Sequence, residues 1–183
     1  MQLREQLPYD VRDVMRDLPP DGCVRDTVRQ FTLNPRIQDR ARSVKVLAER
    51  LGFAVLEVPL PVGMNGRLVP DAFAENGWCI EINADLSVQA KRFALLHEMG
   101  HYFLHTDHDD PLLDPVHFDL SGETFYVNLD EEREANAFAE ALLFGGGQLA
   151  AAYSLLSGHQ GKLAKYFGVT EEVIRIAVTR LRV

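Results

Sequence analysis

The sequence predicts an α+β fold: a small, mostly antiparallel three-stranded sheet packed on a helical core, with a C-terminal helical hairpin. Three observations carry this. Short β-rich runs, FAVLEVPL, the stretch around GRLV, and WCIEIN, are broken by Pro61, Gly63, Asn65-Gly66 and Pro70. Beyond them, KRFALLHEMGHYFLH and LDEEREANAFAEALLF repeat apolar residues at helical spacing. The chain then ends in LAKYFGVTEEVIRIAVTRL, two helical patterns joined at Gly168.

Taken in order, residues 1–33 hold weak helical patterns such as DVRDVMRDL, interrupted by Pro8, Pro19-Pro20 and Gly22. They read as an N-terminal extension packed on the surface, with a partner-binding segment or a cover over the site as the alternatives. Asn34-Pro35 reads as the N-cap and first residue of a helix running through RIQDRARSVKVLAERLG, with Val44, Leu47, Ala48 and Leu51 inward and Gly52 as its stop. The three strands follow. Their default role is structural, although a sheet edge can also hold an extended peptide by strand addition. Ser87 then caps a helix in which Val88, Ala90, Phe93, Ala94, Leu95, Leu96, Phe103 and Leu104 supply a largely buried surface.

That helix carries His97-Glu98-Met99-Gly100-His101. Positions i and i+4 lie one turn apart on one face, so His97 and His101 can aim two imidazole nitrogens at one metal ion. Glu98 sits beside them, placed to take a proton from a water that attacks a carbonyl carbon. The bland alternative is an amphipathic helix whose polar side happens to carry these residues. A catalytic zinc uses three protein ligands and leaves a position open, so one more donor is required. The helix about thirty residues on offers Glu131, Glu132 and Glu134. Glu132 shares a face with Asn136, Ala139 and Leu143, which makes it the candidate third ligand. Asn136, one turn on, is placed to hydrogen-bond the other nitrogen of a ligand histidine. The competing reading is a solvated helix start, because acids in a first turn are favoured by the helix dipole.

HEMGHYFLH followed by EREANAFAEALL resembles the ImmA/IrrE family of metallopeptidase domains, a bacterial and phage group with a zinc-binding His-Glu-x-x-His helix and a downstream Glu-x-x-Ala-Asn-x-Phe-Ala helix. The similarity also takes in WCIEINADLS, with Ile80, Ile82 and Asn83, and the C-terminal LAKYFGVTEEVIRIAVTRL, about residues 38–182 in all. The resemblance implies a zincin-like core, His97, His101 and Glu132 as ligands of one zinc ion per chain, and Glu98 as general base. Manganese suits the same donors. It further implies cleavage or inactivation of a helix-turn-helix repressor, a protein partner that nothing in the composition shows. One departure is visible: where the family commonly has Met-Pro after the Leu142-Leu143 pair, this chain continues Phe144-Gly145-Gly146-Gly147, which is expected to change only how the helix ends, through a left-handed cap.

Between the two motif helices, HTDHDDPLLDPVHFDLSGETFYVN holds spare donors. His105 continues the ligand face but has drifted round it, and Asp107, His108, Asp109 and His117 follow in an acidic stretch. A lid over substrate fits a segment of this length, with Tyr126 or a loop histidine donating to an oxyanion. Surface or capping roles are the default.

The whole chain, 183 residues and 46% hydrophobic, is of a size for one domain: an extension at 1–33, a zincin-like core at 34–144 and the helical hairpin at 157–183. No apolar run approaches bilayer length, the N-terminus lacks the apolar core of a secretion signal, and Cys23 and Cys79 have neither metal-type nor framework spacing. A cytoplasmic location is therefore expected. With 19 basic against 27 acidic residues the net charge is -8, which disfavours nucleic acid as a partner. The C-terminal helices keep DNA binding open through Lys162, Lys165, Arg175, Arg180 and Arg182, but packing on the core explains them better. A non-catalytic regulator that binds a repressor, with a structural metal, is the alternative to the peptidase. Oligomeric state is not legible in the sequence.

Overall fold

A computed structural model describes residues 9–106 and 128–181. Among them the order is α1 (Val11–Asp17), α2 (Gly22–Leu33), β1 (Arg36–Ile37), β2 (Arg40–Ala41), α3 (Val44–Arg50), β3 (Ala54–Val58), β4 (Gly66–Pro70), β5 (Trp78–Asn83), α4 (Val88–His105), α5 (Leu129–Phe144), α6 (Gln148–Leu155), α7 (Gln160–Phe167) and α8 (Glu171–Thr179). This is an α+β fold with a predominantly helical core. No helix among the described residues is long and apolar enough to cross a membrane.

The N-terminal segment supplies core. Asp10 opens α1 with a reciprocal cap, its carboxylate taking the Asp13 N–H while Asp13 takes that of Asp10. Val14 and Leu18 near α1, and Val28 and Phe31 of α2, are buried in the same cluster as the strand and motif-helix residues. The Pro19-Pro20 pair ends one helix and leaves Asp21 to cap the next.

Asn34-Pro35 does not start a helix: Asn34 ends α2, and residues 36–41 form a two-stranded hairpin whose turn residues Gln38 and Asp39 have φ of 49° and 61°. Two successive left-handed residues are the signature of a tight hairpin turn, and they break any helical run through RIQDRARS. The helix begins only at Val44, where the Ser43 hydroxyl caps the Val46 N–H.

The three-stranded sheet is mixed rather than mostly antiparallel. Its order is β3-β5-β4, with β3 parallel and β4 antiparallel to β5. β4 is itself the return leg that lets β5 re-enter alongside β3. Five of the six residues of β5 are buried, as suits a central strand covered on both faces.

The motif helix α4 starts where expected, with the Ser87 hydroxyl accepting the Ala90 N–H at 3.2 Å. Its 18 residues make a rod about 27 Å long. Leu96 and Met99 are fully buried, whereas Val88, expected to be buried, is 78% exposed at the first helical position. One side of α4 lies on α3, β4 and β5, and the other is pressed against α5. At the end of α5, Gly145 is extended (φ -62°). The left-handed residues are Gly146 and Gly147, one position later than a simple C-cap would place them, and Gly147 then leads into α6.

The C-terminal helices α7 and α8 are joined at Gly168, left-handed at φ 69°, and Thr170 caps α8. Leu163, Phe167, Ile174 and Ala177 enter the core, with Phe167 edge-on to Phe144 at 4.9 Å between ring centres. Arg180 reaches Glu140 of α5 at 2.5 Å and ties α8 to the motif helices.

Candidate metal centre

The site forms where α4 and α5 cross, and the crossing is close because two small residues meet there. A Cβ added to Gly100 would lie 2.9 Å from the Ala135 Cα and 3.0 Å from its carbonyl oxygen. Neither position was singled out for this in the sequence. The only signal was a glycine inside a strong helical pattern, opposite an alanine in the apolar stripe of the next helix.

With the helices held so near, Glu132 arrives over the two histidines. The Nε2 atoms of His97 and His101 are 3.0 Å apart. Glu132 Oε2 lies 3.3 Å from the first and Glu132 Oε1 3.1 Å from the second. Metal–ligand distances of 2.0–2.2 Å in a tetrahedron place donors about 3.3–3.6 Å apart, and the separations of 3.0, 3.1 and 3.3 Å come within a few tenths of an ångström of that, as suits a small divalent ion. His97 donates its Nδ1 hydrogen to Asn136 Oδ1 at 3.0 Å, which turns the other ring nitrogen toward the shared centre.

The neighbouring acids are occupied elsewhere. Glu131 takes a hydrogen bond from the Asn128 amide at 2.6 Å, and Glu134 sits 3.6 Å from His105 Nε2. His105, its ring centre 5.5 Å from that of His101, is outside the three-donor cluster. Asp107, His108, Asp109, His117 and Tyr126 lie outside the described residues.

Electrostatics follow from burial and pairing. The side chains of His97 and His101 are 15% and 10% exposed, and that of Glu132 is 41% exposed. Glu98 is buried at 8% exposure, and loss of hydration pushes its carboxyl upward, against the pull of His97 and His101. Hydrogen bonds from His101 and His97 hold Glu132 far below the usual carboxylate range. For His97, burial pulls the imidazole down, but Glu132, Glu98 and Asn136 together outweigh it and the net shift is upward.

These shifts set a sign. Glu132, depressed, favours the metal-free fold above its ordinary 4.5, and His97, raised, favours it below 6.5, so the ion pair contributes most between those values. A metal needs both imidazoles neutral. Metal affinity is therefore expected to rise from pH 6 to 8 with release of a proton, read by calorimetry in two buffers of different ionisation enthalpy. Binding with no proton released at pH 6 would contradict the coupling. Removing the His97 partner, Asn136→Ala, is expected to weaken metal binding by about 10- to 100-fold with the fold retained. A competition titration against a chromogenic chelator measures this.

A helix bearing His-Glu-x-x-His, met by a second helix bearing the third donor, is the arrangement to compare with known proteins. A sequence model of the IrrE N-terminal-like domain, a peptidase family, matches residues 48–179. The chain belongs to that family. The matched span begins within α3 and runs to the end of α8, so it takes in the three-stranded sheet and both motif helices of the IrrE-like domain. No curated protein matches the chain significantly.

Proposed function

We propose that this IrrE-like domain is a zinc-dependent endopeptidase in which His97, His101 and Glu132 hold the ion and Glu98 is the general base. The observation that carries the reading is the three-donor cluster, all within 4.8 Å of one another, with a buried glutamate next in sequence to one of its histidines. When bound, the ion would polarise the scissile carbonyl and acidify a water at the open position. Glu98 would take the proton of that water and deliver it to the leaving amine. Its burial suits this work, because a carboxylate whose pKa is raised by desolvation is the stronger base and takes the water's proton more readily. Asn136 holds His97 in the tautomer that presents Nε2, and the exposed flank at Glu132 gives the peptide its approach.

The substrate we favour is a regulatory protein, a helix-turn-helix repressor encoded beside the enzyme, and manganese is the alternative ion. The second reading is a regulator that binds such a protein without cutting it, its metal serving only to tie α4 to α5. Glu98 favours chemistry over that reading: a structural site has no use for a carboxylate buried beside it at the cost of its hydration. DNA as the partner is disfavoured by the net charge of -8 and by the ion pairs Arg175–Glu172 and Arg180–Glu140, which occupy two of the C-terminal cations.

The test is zinc content per chain and cleavage of the purified neighbouring regulator, with and without a chelator. One zinc per chain, cleavage that chelation stops, and recovery on adding zinc are expected. A zinc-loaded protein that binds the regulator and leaves it whole would establish the second reading.

A further inference from the structure

We infer that Gly66, the first residue of β4, is a positioning residue for Glu98, its missing side chain leaving the seat that the carboxylate occupies. The inference rests on the peptidase reading above. Gly66 pairs with Ile82 on β5, and it is not among the glycines with positive φ, so the backbone does not require glycine there. Glycine in a strand forgoes both packing and conformational restriction. What the position does require is room. A Cβ built on Gly66 would stand 3.0 Å from Glu98 Oε1, 3.1 Å from Glu98 Cγ and 3.0 Å from Ile82 Cδ1. Such approaches are tighter than most real β-carbon contacts, so Glu98 and Ile82 would have to give by a few tenths of an ångström to admit a side chain at residue 66.

The wall behind Glu98 is held in place. Buried Asn83, at the end of β5, donates its backbone N–H to the Asn65 carbonyl at 2.9 Å and its side-chain amide to the Met64 carbonyl at 3.0 Å. These bonds fasten the two residues that lead into Gly66. With β4 pinned from Asn83 and paired along β5, a methyl group at 66 meets a strand that cannot retreat and a flexible side-chain end that can. The carboxylate of Glu98 moves, and with it the point from which a proton is taken. Catalytic geometry is sensitive even to shifts of a fraction of an ångström, since a misplacement of about 1 Å is able to cost about 100-fold in rate.

Gly66→Ala is therefore expected to lower kcat by about 4- to 10-fold, with KM within about twofold and zinc content unchanged. A merely structural role would not produce that split. The second measurement needs no activity: thermal unfolding of metal-free protein for Gly66→Ala, Glu98→Ala and the double variant. Gly66→Ala should lower Tm when Glu98 is present and lower it clearly less in the Glu98→Ala background, where only the Ile82 contact remains. Equal losses of Tm in both backgrounds would overturn the contact. An active wild type whose Gly66→Ala variant keeps its kcat would overturn the positioning role. Zinc-loaded wild type that cuts nothing would instead overturn the peptidase reading, a result separable from both.

Discussion

Replacing Glu98 by glutamine is expected to lower kcat/KM by about two to four orders of magnitude while zinc still binds at one ion per chain. Both halves follow from geometry. Glu98 is not one of the three donors within 4.8 Å of one another, so the ion keeps its ligands. Glutamine fills the same volume against Gly66, so the packing is kept, but its amide cannot accept a proton. The predicted loss corresponds to about 3–5 kcal/mol of transition-state stabilisation. Because burial disfavours the ionised carboxylate, the neutral side chain should also leave metal-free protein at neutral pH no less stable than wild type. Initial rates on the regulator proposed as substrate, with zinc by elemental analysis, decide the matter. Full activity in Glu98→Gln would remove Glu98 from the chemistry, and loss of zinc would make it a ligand.

The second large effect is expected from Gly100→Val, a residue that contacts no metal. Valine places carbon against the Ala135 backbone, where even a Cβ would come to 2.9 Å, and backbone cannot swing aside as a side-chain tip can. Overpacking of this kind costs about 1–3 kcal/mol, and a gain over glycine in helix propensity, at most about 1 kcal/mol, does not cover it. α5 must then shift away from α4. Two donors ride on one helix and the third on the other, so a shift of about 1 Å takes Glu132 out of bonding distance of any ion held by His97 and His101. Zinc affinity should fall by at least about 100-fold, with a Tm lowered in metal-free protein. Unchanged affinity in a competition titration would show that the crossing tolerates the methyl groups.

The parts of this site that were legible in the sequence were those written within one helix. The i, i+4 spacing of His97 and His101 and the shared face of Glu132 and Asn136 follow from 3.6 residues per turn, and the structure brings those four side chains together. What was not legible depends on contacts between distant segments. Nothing local in GRLV says that Glu98 needs the space beside Gly66, and nothing in HEMGH says that Gly100 will meet Ala135. The sheet was read for its strands but not its order, because a run such as WCIEIN announces burial without naming its neighbours. The false helix start at Asn34-Pro35 came from a sound capping pair with only a weak local clue that Gln38 and Asp39 would turn left-handed: aspartate visits that region occasionally and glutamine rarely.

The strand order β3-β5-β4 also bears on the sequence of assembly. Pro70 pairs with Trp78 across a short connection, whereas Ala54 must find Cys79 across the whole of β4. Closing the shorter loop loses less chain entropy, so the β4–β5 pair should nucleate and β3 should dock late. Since α4 follows β5 after only four residues, the stretch from Gly66 to His105 can collapse as a contiguous unit carrying Glu98, the glycine beside it, and His97 and His101. Glu132 joins from farther along the chain. Destabilising β3 should accordingly speed unfolding with little change in the folding rate, and changes along β5 should slow folding itself.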